Sequence, residues 1–205
     1  MNAVIYVHGK GGSAAESAHY RPLFPDCEVL GLNYTASSPR ETGRKISSAV
    51  GKLKKEYDGV ILIANSVGAF FCLHAGIDRL IKRAYFISPL VDMERMILAL
   101  MKGAGVTEEE LKARGTVPTA FGEDLSWETL SYVRSHPVCW NAQTAVLYGS
   151  ADALIPFETV ERFAKRCGAA VTVMEGGEHW FHTAEQMAFL DRWILENEAK
   201  HGGEA

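Results

Sequence analysis

Ser66, Asp152 and His179 each stand just after an apolar, strand-like run, and their types suit nucleophilic chemistry. A serine hydroxyl attacks poorly unless a base takes its proton, and the base needs an acid that orients it. Residues that follow parallel strands share the loops at the carboxyl edge of a sheet. The order and placement of these three residues make them candidates for a nucleophile, its acid and its base.

The stretch Ala64-Asn65-Ser66-Val67-Gly68 passes from an apolar run directly to the predicted start of a helix. It fits the sharp strand-to-helix turn of the pattern G-x-S-x-G, with alanine in the first small position. At such a turn, the free N–H groups and the dipole of the helix favour negative charge beside the serine. A serine here is also a favoured N-cap, so the turn alone leaves both interpretations open.

A glycine-rich segment, His8 to Ser13 (HGKGGS), follows the first apolar run. Glycines allow the backbone to approach a ligand closely and to turn N–H groups toward it. We expect the backbone N–H groups of Lys10 and Val67 to form an oxyanion hole. A phosphate cradle is the alternative, but the segment fits neither G-x-G-x-x-G nor G-x-x-x-x-G-K-[ST].

Four other polar residues compete for roles in such a site. His182 is a second candidate base, but it falls where the last helix should begin and would point elsewhere. Asp124 is a second candidate acid, but it does not follow a strand. His74 falls inside a helix, where a packing role is expected, and the ring of His8 is expected to support the glycine-rich loop.

Apolar, β-branched runs alternate with helix-like segments along most of the chain, which predicts a parallel sheet covered by helices on both faces. The expected class is α/β, with an open, mostly parallel six-stranded sheet. The predicted strands are Ala3–His8, Cys27–Tyr34, Gly59–Ala64, Lys82–Ser88, Thr144–Ser150 and Ala169–Glu175, and the predicted helices include Ser38–Tyr57, Pro156–Cys167 and Thr183–Asn197.

The segment from about residue 92 to 143 is too long for a simple connection and contains three helix-like stretches. Thr107 and Ser126 are the predicted N-caps of the last two. We interpret the segment as a small helical cap within a single domain spanning residues 1–205; the alternative is that it adds ordinary helices to the body of the fold. The residues that form either an acyl pocket under the cap or the cap's own small core are Met93, Met96, Leu100, Met101, Phe121 and Trp127.

Four motifs, in the order YVHGKGGS, ANSVGA, LYGSADALIP and GEHWFHT, resemble the α/β-hydrolase superfamily of serine hydrolases over nearly the whole chain. The resemblance implies that Ser66 is the nucleophile, Asp152 the acid and His179 the base. It also implies that the insertion is the family's cap and that no cofactor or metal is used. The chain departs from the pattern at Ala64 and by having fewer strands than usual, as short members do.

Bulk composition narrows the possible functions further. The 205 residues carry a net charge of −4, which gives no reason to expect nucleic-acid binding, and no apolar run is as long as a membrane span. The N-terminus has no charged segment typical of a secretory signal, and the four cysteines lack metal-ligand spacing, which favours reduced thiols in a cytoplasmic protein.

The expected partner is a small-molecule ester. A thioesterase, amidase or carbon–carbon hydrolase, or a non-catalytic binding protein of the same fold, are the alternatives, and the oligomeric state is not predicted.

Overall fold

A computed structural model of the chain describes residues 1–35, 38–120 and 124–201. A 3-10 helix (Ala14–Leu23) lies between the first two strands. The strands are β1 (Asn2–Val7), β2 (Cys27–Gly31), β3 (Val60–Asn65), β4 (Arg83–Ile87), β5 (Thr116–Val117), β6 (Leu125–Ser126), β7 (Gln143–Gly149) and β8 (Ala170–Met174). The α-helices are α1 (Pro39–Glu56), α2 (Val67–Leu73), α3 (Met93–Ala104), α4 (Glu108–Arg114), α5 (Trp127–Ser135), α6 (Phe157–Cys167) and α7 (Ala184–His201).

Six of these strands form one sheet in the order β2-β1-β3-β4-β7-β8, and every neighbouring pair in it is parallel. The predicted α/β class and the six-stranded parallel sheet are confirmed. β3 is the best buried strand, with residues 60–64 wholly inaccessible to solvent, as expected for a strand covered on both faces. β2 is shorter than predicted: the amide of Leu32 still bonds the Tyr6 carbonyl at 2.8 Å, and regular pairing ends at Gly31.

Helices cover the two faces of the sheet with separate apolar clusters. On one face, Ile46 of α1, Phe70 of α2 and Phe163 of α6 belong to a single buried core. On the other face, Tyr20 of the 3-10 helix and Trp193 of α7 belong to a second core. These two layers hold the strands in a fixed order, so that the loops at their carboxyl ends are brought to one edge.

The insertion between β4 and β7 has a small core of its own. That core contains buried residues from α3, α4, the β5–β6 hairpin and α5, namely Ile97, Met101, Leu111, Val117, Leu125 and Leu130. The predicted N-caps are confirmed, since the hydroxyls of Thr107 and Ser126 accept backbone N–H bonds at 3.1 and 3.2 Å. Val133 of α5 packs against the main core, so the last helix of the insertion also belongs to the body of the fold.

Candidate active site

Ser66 stands at a strained turn between β3 and α2. Its φ and ψ are 48° and −120°, a conformation that is unfavourable for a residue with a side chain and costs about 1–3 kcal/mol. The turn is fixed by a backbone bond from Ser66 N–H to the Ile87 carbonyl at 3.0 Å and by one from Leu90 N–H to the Ser66 carbonyl at 3.1 Å. Gly68 is needed here because a Cβ at that position would lie 2.5 Å from the His8 carbonyl oxygen.

The hydroxyl of Ser66 does not cap the helix that follows it. Within the described part of the chain, no side-chain cap bond from Ser66 is formed, and its Oγ lies 2.9 Å from Nε2 of His179. Nδ1 of the same ring lies 2.7 Å from Oδ2 of Asp152. Because a carboxylate only accepts hydrogen bonds, Nδ1 carries the proton and Nε2 is free to accept the proton of the serine hydroxyl. The three side chains therefore form one hydrogen-bonded chain.

Asp152 is held in place by its own loop. Its Oδ1 accepts backbone N–H bonds from Leu154 at 2.8 Å and from Ile155 at 2.9 Å. Its side chain is 0% exposed and the His179 side chain is 5% exposed, so the contact between carboxylate and imidazole is shielded from water. Both oxygens of the carboxylate therefore have partners. Oδ2 cannot turn away from His179 without breaking the two backbone bonds that Oδ1 accepts.

The loops that carry Asp152 and His179 meet because glycines allow close contact between them. A Cβ at Gly149, the last residue of β7, would lie 2.2 Å from the Gly177 carbonyl oxygen. That same oxygen accepts a hydrogen bond from the Ala151 amide at 2.8 Å. The glycines at the ends of the two strand motifs therefore determine the distance between the acid and the imidazole.

The residues that the sequence offered as an alternative base and an alternative acid do not belong to this hydrogen-bonded chain. The His182 side chain is 62% exposed, and its Nδ1 lies 2.7 Å from the Trp180 carbonyl. Asp124 is exposed beside β6. His74 packs edge-on against the rings of Phe70 and Tyr132, and burial lowers its pKa to about 4, with the nearby His136 adding to the effect.

The glycine-rich loop after β1 lies against the serine turn. A Cβ at Gly9 would be 3.3 Å from Cβ of Ser66. The His8 ring stacks on Tyr34 at 4.4 Å and bonds the Gly9 carbonyl through Nδ1 at 2.8 Å, which supports the loop as expected. Lys10 follows with an exposed side chain, while Val67 is the first residue of α2 and its N–H has no acceptor within that helix.

The predicted pocket residues are divided among different surroundings. Met101 is 5% exposed in the insertion core, and Trp127 packs against that core with the Lys112 ammonium 5.6 Å from its ring centroid. Met96 packs against the main core, and Phe121 lies outside the described residues. Met93 and Leu100 also pack against the insertion core.

Two cavities lie beside α5, away from the hydrogen-bonded chain of Ser66. The larger, about 560 Å³, is lined by Trp127, Tyr132 and Arg40 among others. The smaller, about 280 Å³, lies between α5, α6 and the start of α3 and includes Met93 in its lining. Neither cavity is lined by Ser66, Asp152 or His179.

Two exposed apolar side chains border the hydrogen-bonded chain, and the sequence analysis missed both. Trp180 is 61% exposed, and its ring meets that of His179 edge-on at 5.6 Å. Leu154, whose amide bonds Asp152, is 48% exposed. Their positions, one residue after the candidate base and two residues after the candidate acid, were the signal available in the sequence.

No group of three or more histidine, cysteine or carboxylate residues that would hold a metal ion occurs in residues 1–35, 38–120 and 124–201. Over the same residues, no helix is both long and apolar enough to cross a membrane.

Solved structures share this architecture at low sequence identity. Est1E from Butyrivibrio proteoclasticus gives a TM-score of 0.79 at 13% identity, covering 97% of this chain and 87% of that one. The alpha/beta hydrolase domain-containing protein 10 from mouse gives 0.69 at 17% identity, covering 97% and 90%. A thioesterase domain from the curacin biosynthetic pathway gives 0.56 at 15% identity, covering 95% and 91%. Searches against protein-family models and against curated protein sequences found no match.

Sheet order, crossovers and these similarities together define the chain as having the α/β-hydrolase fold.

Proposed function

We propose that this protein is a serine hydrolase that cleaves small carboxylic esters through an acyl-serine intermediate. The observation that carries the proposal is the hydrogen-bonded chain from Ser66 through His179 to Asp152, with contacts of 2.9 and 2.7 Å. A binding protein has no use for a serine held at a strained turn against a shielded imidazole and carboxylate.

In the proposed reaction, Nε2 of His179 takes the proton of the Ser66 hydroxyl while Oγ attacks the ester carbonyl carbon. Asp152 orients the imidazole and stabilises its positive charge. The backbone N–H groups of Lys10 and Val67 donate to the oxyanion of the tetrahedral intermediate. His179 then gives its proton to the departing alcohol, which leaves an acyl-serine.

The second half of the reaction returns the enzyme to its starting state. His179 removes a proton from water, and the resulting hydroxide attacks the acyl carbon. Collapse of the second tetrahedral intermediate releases the carboxylic acid, and the proton returns from His179 to Oγ of Ser66. The residues of the chain suffice for this cycle, so we propose that it needs no cofactor.

The exposed apolar side chains of Trp180 and Leu154 support a substrate with an apolar group beside the reacting carbonyl. A thioester is the second candidate substrate, because one structure with this fold is named a thioesterase domain. A cytoplasmic location is part of the proposal and rests on the spacing of the four cysteines, all of which are free thiols in the structure.

The test is labelling by a fluorophosphonate probe together with hydrolysis of p-nitrophenyl acetate. Ser66→Ala should abolish labelling and lower kcat by several orders of magnitude, because the triad acts as a unit. Ser88→Ala is the matched control: Ser88 also follows a strand and has a positive φ of 44°, but its buried hydroxyl has no partner among the described residues. Labelling or most of the activity surviving in a folded Ser66→Ala protein would refute the proposal.

A further inference from the structure

Glu16 is an exposed carboxylate beside the glycine-rich loop and is not part of the proposed triad. Its Oε1 accepts a hydrogen bond from the Ser13 amide at 2.9 Å, at the end of that loop. Its Oε2 accepts a hydrogen bond from the Tyr6 hydroxyl at 2.6 Å. A Cβ at Gly12 would lie 2.7 Å from Oε1, so the loop backbone packs directly against this carboxylate. One carboxylate thus joins the loop to strand β1.

Tyr6 continues the connection toward the nucleophile. Tyr6 is 1% exposed, and the strand that carries it, β1, pairs in parallel with β3, which ends at Asn65. Burial raises the pKa of Tyr6, and the neighbouring Tyr20 and the bond to Glu16 raise it further, so the hydroxyl stays protonated and donates to the carboxylate. Asn65 is the residue immediately before Ser66.

The contacts form one continuous link from the turn that carries Ser66, through Tyr6 and Glu16, to the glycine-rich loop. The loop needs such support because its three glycines, Gly9, Gly11 and Gly12, leave it with large conformational freedom. Gly11 adopts a φ of 74°, which is one of several backbone conformations open to a glycine. A hydrogen bond to a carboxylate is stronger than one between neutral groups and suits this purpose.

We propose that Glu16 and Tyr6 are positioning residues that hold the glycine-rich loop against the serine turn, so that the Lys10 N–H faces the oxyanion. The inference rests on the proposed function, since an oxyanion forms only if Ser66 attacks a carbonyl group. It assigns a function to a buried tyrosine and a carboxylate that do not touch the reacting atoms.

A merely structural role for Glu16 is the competing explanation. The bond from the Ser13 amide to the Glu16 carboxylate is the glutamate half of a capping box at the start of the 3-10 helix, which by itself stabilises the helix. That role predicts a loss of folding stability without a selective effect on the transition state. The positioning role predicts that kcat falls while KM changes little, because the oxyanion interaction is made in the transition state and not with bound substrate.

The experiment compares Tyr6→Phe and Glu16→Ala with the control Tyr20→Phe. Tyr20 lies in the same buried cluster, 5.2 Å from the Tyr6 ring, and loses the same hydroxyl. For Tyr6→Phe and Glu16→Ala, we expect kcat on p-nitrophenyl acetate to fall about 10- to 100-fold, less than the loss of a whole oxyanion donor. KM should stay within about twofold, and affinity for a trifluoromethyl ketone, which forms an oxyanion on binding, should fall with kcat. In Glu16→Gln, the amide oxygen can still accept from the Ser13 amide, and the NH₂ group can donate to the Tyr6 hydroxyl, so this variant should recover part of the loss.

A second readout is independent of catalysis. Trypsin cleaves after Lys10 when the loop opens, and Lys10 is exposed on that loop. Native-state cleavage at Lys10, followed by mass spectrometry, should be faster in Tyr6→Phe and Glu16→Ala than in wild type and Tyr20→Phe.

The two readouts separate the two proposals. Wild type that neither labels nor hydrolyses would refute the proposed function, while faster cleavage at Lys10 in the variants would still support the link. Unchanged cleavage, or kcat and inhibitor affinity equal to those of Tyr20→Phe, would overturn the positioning role.

Discussion

Replacing Asp152 with asparagine should disable the proposed triad without unfolding the protein. Oδ1 of Asp152 accepts two backbone N–H bonds, from Leu154 and Ile155, at 2.8 and 2.9 Å. In Asp152→Asn, the amide oxygen keeps these two bonds, and the amide nitrogen must occupy the position that faces His179. Turning the amide around would place its NH₂ group against two N–H donors and leave them unpaired, at a cost of about 1–3 kcal/mol each.

The fixed amide then forces the imidazole into the unreactive tautomer. An NH₂ group at 2.7 Å from Nδ1 of His179 can only donate, so Nδ1 must accept and the proton moves to Nε2. Nε2 then donates to the Ser66 hydroxyl instead of accepting its proton. Loss of the correct tautomer lowers kcat by about 10⁴-fold, which corresponds to about 5.4 kcal/mol in the activation free energy.

The assay is steady-state hydrolysis of p-nitrophenyl acetate, with the urea unfolding midpoint as a check on folding. The free energy of unfolding should change by less than about 1 kcal/mol, because the two backbone bonds and the side-chain shape are retained. Asp124→Asn is the matched control, since this exposed carboxylate was the competing candidate acid. The reasoning fails if Asp152→Asn keeps more than about a tenth of the activity, or if Asp124→Asn loses as much.

Two further outcomes follow from the surroundings of the site. Trp180→Ala should raise KM for p-nitrophenyl esters of longer acyl chains, with discrimination per methylene changing by at most about 1–3 kcal/mol. Trp127→Ala is the control and should give a chain-length profile parallel to that of wild type, because Trp127 packs in the insertion. Parallel profiles for both variants would exclude Trp180 from the substrate site. His74 has a folded-state pKa of about 4, below its unfolded value of 6.5, so its neutral form favours folding above pH 6.5 and this stability is lost as the pH falls toward 4. His74→Phe should therefore reduce the stability lost between pH 7 and pH 5 by about 1 kcal/mol, after allowance for partial exposure, as measured by urea unfolding; an equal loss in both proteins would contradict this.

The strands and the candidate triad could be predicted because both leave local signals in the sequence. Apolar runs end at polar loops, and parallel strands bring those loops to one edge, so Asp152 and His179 were identifiable without coordinates. The role of the Ser66 hydroxyl could not be settled in this way, because an N-cap and a nucleophile occupy the same place at the start of a helix. The distance to His179 is a tertiary property that no local pattern encodes.

Other features could not be predicted because they depend on which surfaces meet. Met101 lies on an apolar face of α3. The periodicity of apolar residues predicts such a face, but it does not tell whether the face covers a ligand or the insertion's own core. Glu16 belongs to a 3-10 helix that contains Pro22 and lacks a clear amphipathic pattern, so neither the helix nor the contact with Tyr6 was expected. Contacts between residues far apart in the sequence, such as the one between Glu16 and Tyr6, leave no local pattern from which they could be predicted.

The long separation between Ser66 and His179 also has a consequence for synthesis of the chain. The two residues are 113 positions apart, and the imidazole arrives only with the loop after the last strand, β8. During synthesis the N-terminal part of a chain is made first, while a domain generally folds as a unit. A nascent chain that ends before His179 therefore contains Ser66 without its candidate base. Under the proposed function, the growing polypeptide is expected to be inert toward esters until β8 and the loop that carries His179 have emerged from the ribosome, so appearance of activity during translation would report the completion of the sheet.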